Sequence, residues 1–387
     1  MKNKQITNKV KGTIFIMVFS LLLLFCKKEK VIQSHSIWGS EINLPQEPYN
    51  YSNPSLPNFF ANQFIQKSDN TPVDNPTTNW GATLGRVLFY DKKLSVNNTI
   101  SCSSCHIQKF GFSDTAKLSK GFNGGSTKRH SMGLTNAMFY FEKKFFWDER
   151  ANTLEDQVLM PIQDPVEMGM QLDSLVQKLK NIDYYPGLFY KAFGSNVIDS
   201  TKIARALAQF VRSMVSYRSP FDEGMSLVMD RLDDFPNFDS SENRGKRIFF
   251  KPATINCSGC HTTEVFIGDV ARNNGISFTN MDYGVGGISG NTLDNFTFKT
   301  PSLKNIALRP PYMHDGRFSS LEQVIDHYSS GITNSTNLDP HFRIAGGGVF
   351  QFNFTIQEKI DLIAFLKTLT DKKMIEDEKF SSPFLID

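Results

Sequence analysis

Cys102-Ser103-Ser104-Cys105-His106 and Cys257-Ser258-Gly259-Cys260-His261 are two copies of one pentapeptide, Cys-x-x-Cys-His, and together they use four of the five cysteines in the chain. The spacing has a chemical reason. Two thiols three positions apart can each add to one vinyl group of a single haem, and the histidine directly after the second thiol reaches the iron as its proximal ligand. A CxxC redox pair or half a zinc site shares part of the pattern. No further cysteine cluster stands ready to complete a zinc tetrahedron, and the pentapeptide occurs twice, so haem c accounts for both copies. Two covalently bound haem c groups are expected, one on Cys102, Cys105 and His106, the other on Cys257, Cys260 and His261.

Lys2, Lys4, Lys9 and Lys11 precede an apolar run from Ile14 to Phe25 that is interrupted only by Ser20, and Cys26 follows. This is the plan of a secretory signal. It agrees with haem c, because bacteria form the thioether bonds outside the cytoplasm. Cys26 stands where a lipoprotein signal places its lipidated residue. Bulky Phe25 just before it keeps two alternatives open, an uncleaved apolar anchor and a plain cleaved signal. The expected location is the periplasm, with residues 1–26 as leader and the protein held at a membrane surface by a Cys26 lipid or an N-terminal anchor. Residues 1–25 hold four of the 42 basic side chains and no acidic one, leaving 38 Lys+Arg against 39 Asp+Glu. That balance offers no polycationic footprint for nucleic acid.

Residues 27–78 are rich in Pro, Asn, Ser and Gln and read as a tether with short packed pieces such as Phe59, Phe60 and Phe64. An internal repeat follows. Gly85-Arg86-Val87-Leu88-Phe89-Tyr90 precedes the first pentapeptide and Gly245-Lys246-Arg247-Ile248-Phe249-Phe250 the second, each resembling the amphipathic leading helix of a cytochrome c domain. Ile203, Leu207, Phe210, Val211 and Met214 recur at helical steps and predict a helix closing the first domain. Thr355 and Glu358 form a capping-box pattern before Ile360, Ile363 and Leu366, which predicts a final helix packed on the second leading helix. Nothing alternates at the strand period for long. Gly284, Gly286, Gly287 and Gly290 lack a preceding apolar strand and a following helix pattern, so they read as a loop rather than a nucleotide site. The fold class is mainly α, two cytochrome c-like haem domains with long loops, over residues 79–235 and 236–387.

From Gly81 to the last helix, about 300 of the 387 residues, the chain resembles the bacterial dihaem cytochrome c peroxidase family, which includes the MauG-type oxidases. LGRVLFYDKKLS, FFWDERANTLEDQVLMPIQDPVEMG and FKTPSLKNIALRPPYMHDGRFSSLEQVIDHY carry the likeness. The resemblance implies that peroxide binds at the N-terminal haem, on His106, while the C-terminal haem, on His261, stores and relays an electron. It places Gln157 and Glu167 over the peroxide-binding iron and Trp147 between the haems. Peroxide cleavage needs a proton moved from one oxygen to the other, a task for a carboxylate acting as base and then acid, here Glu167. Gln157 would hold peroxide or water by hydrogen bonds without titrating, and the Trp147 ring would carry electrons between the haems. A surface carboxylate, an exposed helix glutamine and a core aromatic are the plain readings of the same three residues.

Departures from the family pattern sharpen the expectation. Phe122 stands where family members that need reductive activation carry a distal histidine, and a phenyl ring cannot ligate iron, so the first haem should be five-coordinate as isolated. His130 lies where the family usually has an asparagine that helps bind calcium. It reads as a distal ligand, a replaced calcium contact or a surface imidazole, and a calcium ion between the haems is left open. Fourteen residues after His314, where peroxidases place a methionine ligand for the second haem, stands Tyr328, as in MauG-type enzymes. Ser319 and Glu322 read as the cap of a helix whose Leu321, Val324 and Ile325 face inward with Tyr328, while His327 points aside. Tyr328 therefore reads as the ligand of the second iron, with His327 or a buried, hydrogen-bonded Tyr328 that ligates nothing as the alternatives. As an iron ligand a phenolate would lower the potential of the second haem, whereas a thioether would raise it.

The expected function is a dihaem peroxidase that takes hydrogen peroxide at the first haem and electrons from a small cytochrome c or cupredoxin, without reductive activation. A MauG-like oxidase that uses peroxide to oxidise a protein or organic substrate is the alternative. A non-catalytic dihaem electron-transfer cytochrome is a third, with Met132, Met138, Met168 or Met170 available to close the first iron.

Overall fold

Each repeated Gly-x-x-x-Phe segment folds as a helix, and its glycine decides what that helix packs on. A computed structural model describes residue 38 and residues 40–251, 256–268, 270–276 and 282–385. The expected leader, Cys26 included, lies outside these residues. The first leading helix, Asn79–Tyr90, crosses the helix Ser200–Arg212, and the second, Ser240–Phe250, crosses the helix Ile356–Lys367. A Cβ on Gly85 would sit 2.0 Å from the Ala206 carbonyl oxygen, and one on Gly245 would sit 1.9 Å from that of Asp361. Contact that close leaves room for hydrogen only, which is why glycine stands at both crossings.

The stripe on Ser200–Arg212 is buried at Ile203, Leu207, Phe210 and Val211; Met214 is buried too but lies beyond the helix. Thr355 and Glu358 form the capping box of the last long helix. Ile363 and Leu366 face inward, whereas Ile360, expected on the same face, is exposed. The first pair of helices anchors one apolar core and the second pair another. Extended structure among the described residues is a two-residue antiparallel pair, Ala271–Arg272 with Phe298–Lys299, plus isolated bridges. The fold is mainly helical with long loops, as read from the sequence. The glycines near 284 lie in a loop with one helical turn, Gly286–Ser289.

Two segments depart from the expected boundaries. The stretch read as a tether is packed from Trp38 onward, with Trp38, Ile42, Leu44 and Tyr51 inside the first core. Phe60 is buried, but Phe64, expected to pack, is 66% exposed. The chain end, assigned to the second domain through 387, returns to the first. Met374 and Phe380 join the first core, the Asn43 N–H donates to the Pro383 carbonyl (2.7 Å), and Arg86 Nε and the Tyr90 hydroxyl each donate at 2.6 Å to the Ser381 and Phe380 carbonyls. Apolar residues spaced without periodicity gave no warning of either contact. Among the described residues no helix is long and apolar enough to cross a membrane.

Candidate active site

Both pentapeptides are mounted in the same way. Cys102–Cys105 forms one helical turn with a capping box from Ser101 and Ser104, and Cys257–Gly259 a 3-10 turn. After each, the chain folds back in a short bridge, Ile107 with Ser113 and Thr262 with Ile267, at a phenylalanine with positive φ, Phe112 (59°) and Phe266 (53°). The proximal rings are fixed through Nδ1, His106 to the Phe112 carbonyl at 3.0 Å and His261 to the Pro301 carbonyl at 3.1 Å. A backbone acceptor on Nδ1 sets the tautomer that presents Nε2 to a metal.

Beside the first pentapeptide stands a carboxyl for which no hydrogen bond is seen among the described residues. The helix Leu154–Gln163, capped by Thr153, carries half-buried Gln157 and stops at Asp164. Asp164 Oδ1 accepts from the Val166 and Glu167 amides (2.7 and 3.1 Å), and its carbonyl accepts from Gly169 N–H (2.9 Å), making a tight turn that holds up Glu167. Burial, then the Asp164 charge, push the Glu167 carboxyl up to about 7 against the pull of Arg150. Its charge in turn reaches the Cys102 and Cys105 thiols. The structure therefore brings Glu167 to the first motif. Phe122 reaches the same turn, with its N–H on the Glu167 carbonyl at 2.9 Å. Met168 and Met170, kept as possible ligands, are buried in the first core.

His130 is not a surface imidazole, a correction to one reading above. It is 5% exposed, with Nδ1 on the Ala116 carbonyl (3.1 Å) and Nε2 facing Ser113 Oγ (3.4 Å). Its carbonyl accepts from Trp147 Nε1 at 2.8 Å and its N–H donates to the His314 carbonyl at 2.8 Å. Trp147 is thus clamped edge-on to the His314 ring (centroids 6.4 Å apart). It lines a cavity of about 1380 Å³, counting its open mouth, that also contains Cys257, Cys260, His261 and Tyr328. Trp147 belongs to the second site by contact, whereas Glu167 is absent from that cavity's wall.

Ser320, not Ser319, caps the helix Leu321–Asp326, accepting from Gln323 N–H. The next turn widens to a π-helix over His327–Gly331, and this widened turn separates two neighbours. Tyr328 lines the cavity, while His327 turns its Nε2 to the Asn274 carbonyl (3.0 Å). Burial pushes the Tyr328 hydroxyl up to about 12, with the Cys260 and Cys257 thiols adding to that push. Asn274 Nδ2 donates to the Tyr328 hydroxyl at 3.1 Å and to Met313 Sδ at 3.7 Å. No local pattern in the sequence marks Asn274.

These residues fit two haem c groups. None of the four motif cysteines forms a disulfide. Arg309, on the wall of the second cavity, is buried with no hydrogen-bond partner for its Nε among the described residues, and burial draws its guanidinium down to about 10. A propionate carboxylate is the kind of group such a cation lacks.

Comparison with known proteins agrees with this geometry. A family profile described as di-haem cytochrome c peroxidase matches residues 80–227. The chain is 34% identical over 298 residues to the methylamine utilization protein MauG of Methylophilus methylotrophus, covering 77% of this chain and 84% of that one. It is 30% identical over 335 residues to the cytochrome-c peroxidase IdrP1 of a Pseudomonas species, with 77% and 83% covered. A solved MauG-like protein associated with microbial copper homeostasis superposes with a TM-score of 0.72 at 32% identity, over 87% of this chain and 99% of that one. With its two haem c motifs, this chain belongs to the di-haem cytochrome c peroxidase family.

Proposed function

We propose that the protein reduces hydrogen peroxide at the haem carried by Cys102, Cys105 and His106, and needs no prior reduction to do so. The observation that carries this reading is Glu167, a half-buried carboxyl beside the first motif that burial and the Asp164 charge hold near 7 against the pull of Arg150. When bound, the haem supplies the redox-active iron at which the O–O bond is cleaved. Near neutral pH Glu167 exists in both protonation states, so it takes a proton from one peroxide oxygen and returns it to the oxygen that leaves as water. Gln157 offers an amide that donates and accepts without titrating, which orients peroxide or water. Phe122, whose ring cannot ligate, would leave the first haem open to peroxide.

In this reading Trp147 carries electrons from the haem on Cys257, Cys260 and His261, with its indole fixed by the His130 carbonyl. Tyr328 would be the residue to hold that iron from the cavity it lines, because His327 Nε2 is engaged by the Asn274 carbonyl. A small cytochrome c or cupredoxin replenishes the electrons. The setting is the periplasm, with the leader or a Cys26 lipid as membrane anchor.

One observation favours a second outcome, oxidation of a protein or organic substrate in the MauG manner. Tyr328, an anionic oxygen donor when it ligates, favours the higher oxidation states of the second iron and so a stored oxidising equivalent. Spectra of the as-isolated ferric protein, before and after one equivalent of peroxide, separate the readings. A high-spin ferric signal from one haem without reductant supports the open first site, and low-spin signals from both would remove it. Oxidation that persists at both haems supports the oxidase; rapid return only with added electrons supports the peroxidase.

A further inference from the structure

We infer that Phe122 is a positioning residue for Glu167, clamping the turn that carries the carboxyl so that the first site is assembled before peroxide arrives. This rests on Glu167 as the acid–base group. Three stretches of chain meet at the turn. From one side Val96 N–H donates to the Met168 carbonyl at 3.0 Å. From the other, Phe122 N–H donates to the Glu167 carbonyl at 2.9 Å. Asn97 Nδ2 closes the triangle by donating to the Phe122 carbonyl at 2.9 Å.

Glycines let these stretches touch. Gly169 adopts φ +63°, and a Cβ there would fall 2.6 Å from the Phe122 ring, so that ring lies flush on the end of the turn. A Cβ on Gly121 would fall 1.6 Å from the Val166 carbonyl oxygen. The loop bearing Phe122 is itself closed by a Lys120–Ser126 bridge and by a bond from Gly121 N–H to the Gly125 carbonyl (2.8 Å). A side chain that cannot ligate iron thus has a different task here. Its ring and backbone brace residues 164–169 from the side opposite Val96, adding to the turn's own bonds to Asp164.

The clamp acts through geometry and exclusion of water. The charged and titratable groups facing Glu167 are Asp164 on its own turn, Arg150 from the preceding loop, and the Cys102 and Cys105 sulfurs, which haem attachment converts to uncharged thioethers. The 95–99 stretch brings none, and Lys120 on the Phe122 loop is engaged with Ser126 Oγ at 2.8 Å. Loosening the turn admits water to the carboxyl without changing the charges around it.

The test is Phe122→Ala in the holoprotein, with Phe122→Leu as the conservative partner. Phe122→Ala should lower kcat/KM for hydrogen peroxide by about tenfold or more, the scale of a small misplacement of a reacting group. Both haems should stay attached. The pH midpoint assigned to Glu167 should move from near 7 toward the ordinary carboxylate range, and hydrogen exchange at the Val166 and Gly169 amides should quicken. Phe122→Leu should recover most of the rate and the midpoint. An unchanged rate and midpoint in Phe122→Ala overturns the inference. Should that variant not fold, Asn97→Ala removes an exposed side chain from the same triangle and should shift the midpoint in the same direction; no shift there is equally fatal. Glu167→Gln run in parallel separates the layers. Full activity in it removes the acid–base reading itself, whereas an impaired Glu167→Gln beside an unaffected Phe122→Ala removes only the clamp.

Discussion

The two halves of the molecule share a proximal construction and diverge where a reactant would approach. Gly85 against Ala206 repeats as Gly245 against Asp361, and the His106–Phe112 anchor repeats as His261–Pro301. Beyond that shared frame, the first half presents Glu167, with Phe122 on its turn, and the second presents Tyr328 held by Asn274. Attaching haem c demands the same geometry twice, so the repeat is kept there. The groups beside each pocket are free to differ, and on that difference rests the proposed division into a reacting site and an electron store.

The comparison can be tested at four points. The largest effect is expected in the second core, where the Lys304–Asp222 pair is completely buried and Ser219 donates to the same carboxylate. Asp222→Ala strands the lysine and should cost about 3–5 kcal/mol in denaturant unfolding. The buried-cation pair of the first half, Arg212 with Glu155, keeps a partly exposed carboxylate and a second donor, Asn75. Its loss by Glu155→Ala should cost less, and equal costs would mean the halves are braced alike.

Next comes chemistry. Glu167→Gln should slow peroxide turnover by about a hundredfold with both haems attached, as the loss of a general acid–base does. Unchanged turnover would move the reacting group elsewhere. Third, Gly85→Ala and Gly245→Ala should each destabilise by about 1–3 kcal/mol through the backbone clash at the helix crossing. Calorimetry showing one of them tolerated would break the equivalence of the two crossings.

The smallest effect is a pH trend. Glu167 is raised toward 7 in the folded chain, so between its ordinary value and 7 the folded state binds more protons than the unfolded one. Its contribution to stability is present at low pH and is lost as pH rises through that interval. Glu155 is shifted the other way, chiefly by its Arg212 hydrogen bonds working against burial, and its contribution fades as pH falls through its lowered value. The stability of Glu167→Gln relative to the parent should therefore climb between pH 5 and 8. A flat difference in melting temperature across that range would place the Glu167 carboxyl in water.

Much of the fold was legible because its determinants are local. The CxxCH spacing, the helical stripe through Ile203 and Phe210 and the Thr355–Glu358 box each lie within a few turns of chain. The candidate site was legible where a residue type excludes a role, as Phe122 does for ligation. It was not legible where the partner is distant. His130 gives no sign in its own neighbourhood that Ala116 and Ser113 will enclose it. The cap at Ser320 rather than Ser319 shows the same limit on a small scale, since either serine satisfies the pattern.

The residues alone determined two attachment points for haem c and a mainly helical chain with a repeated leading helix. These follow from covalent reach and helical period, which a one-dimensional string records. Only the folded chain decided that Phe122 braces the Glu167 turn, that Asn274 holds Tyr328 while engaging His327, that Arg309 waits buried on the second cavity, and that the stretch from Trp38 and the chain end close the first core. Those are bonds and contacts between residues far apart in sequence, and their geometry exists only once both cores have formed.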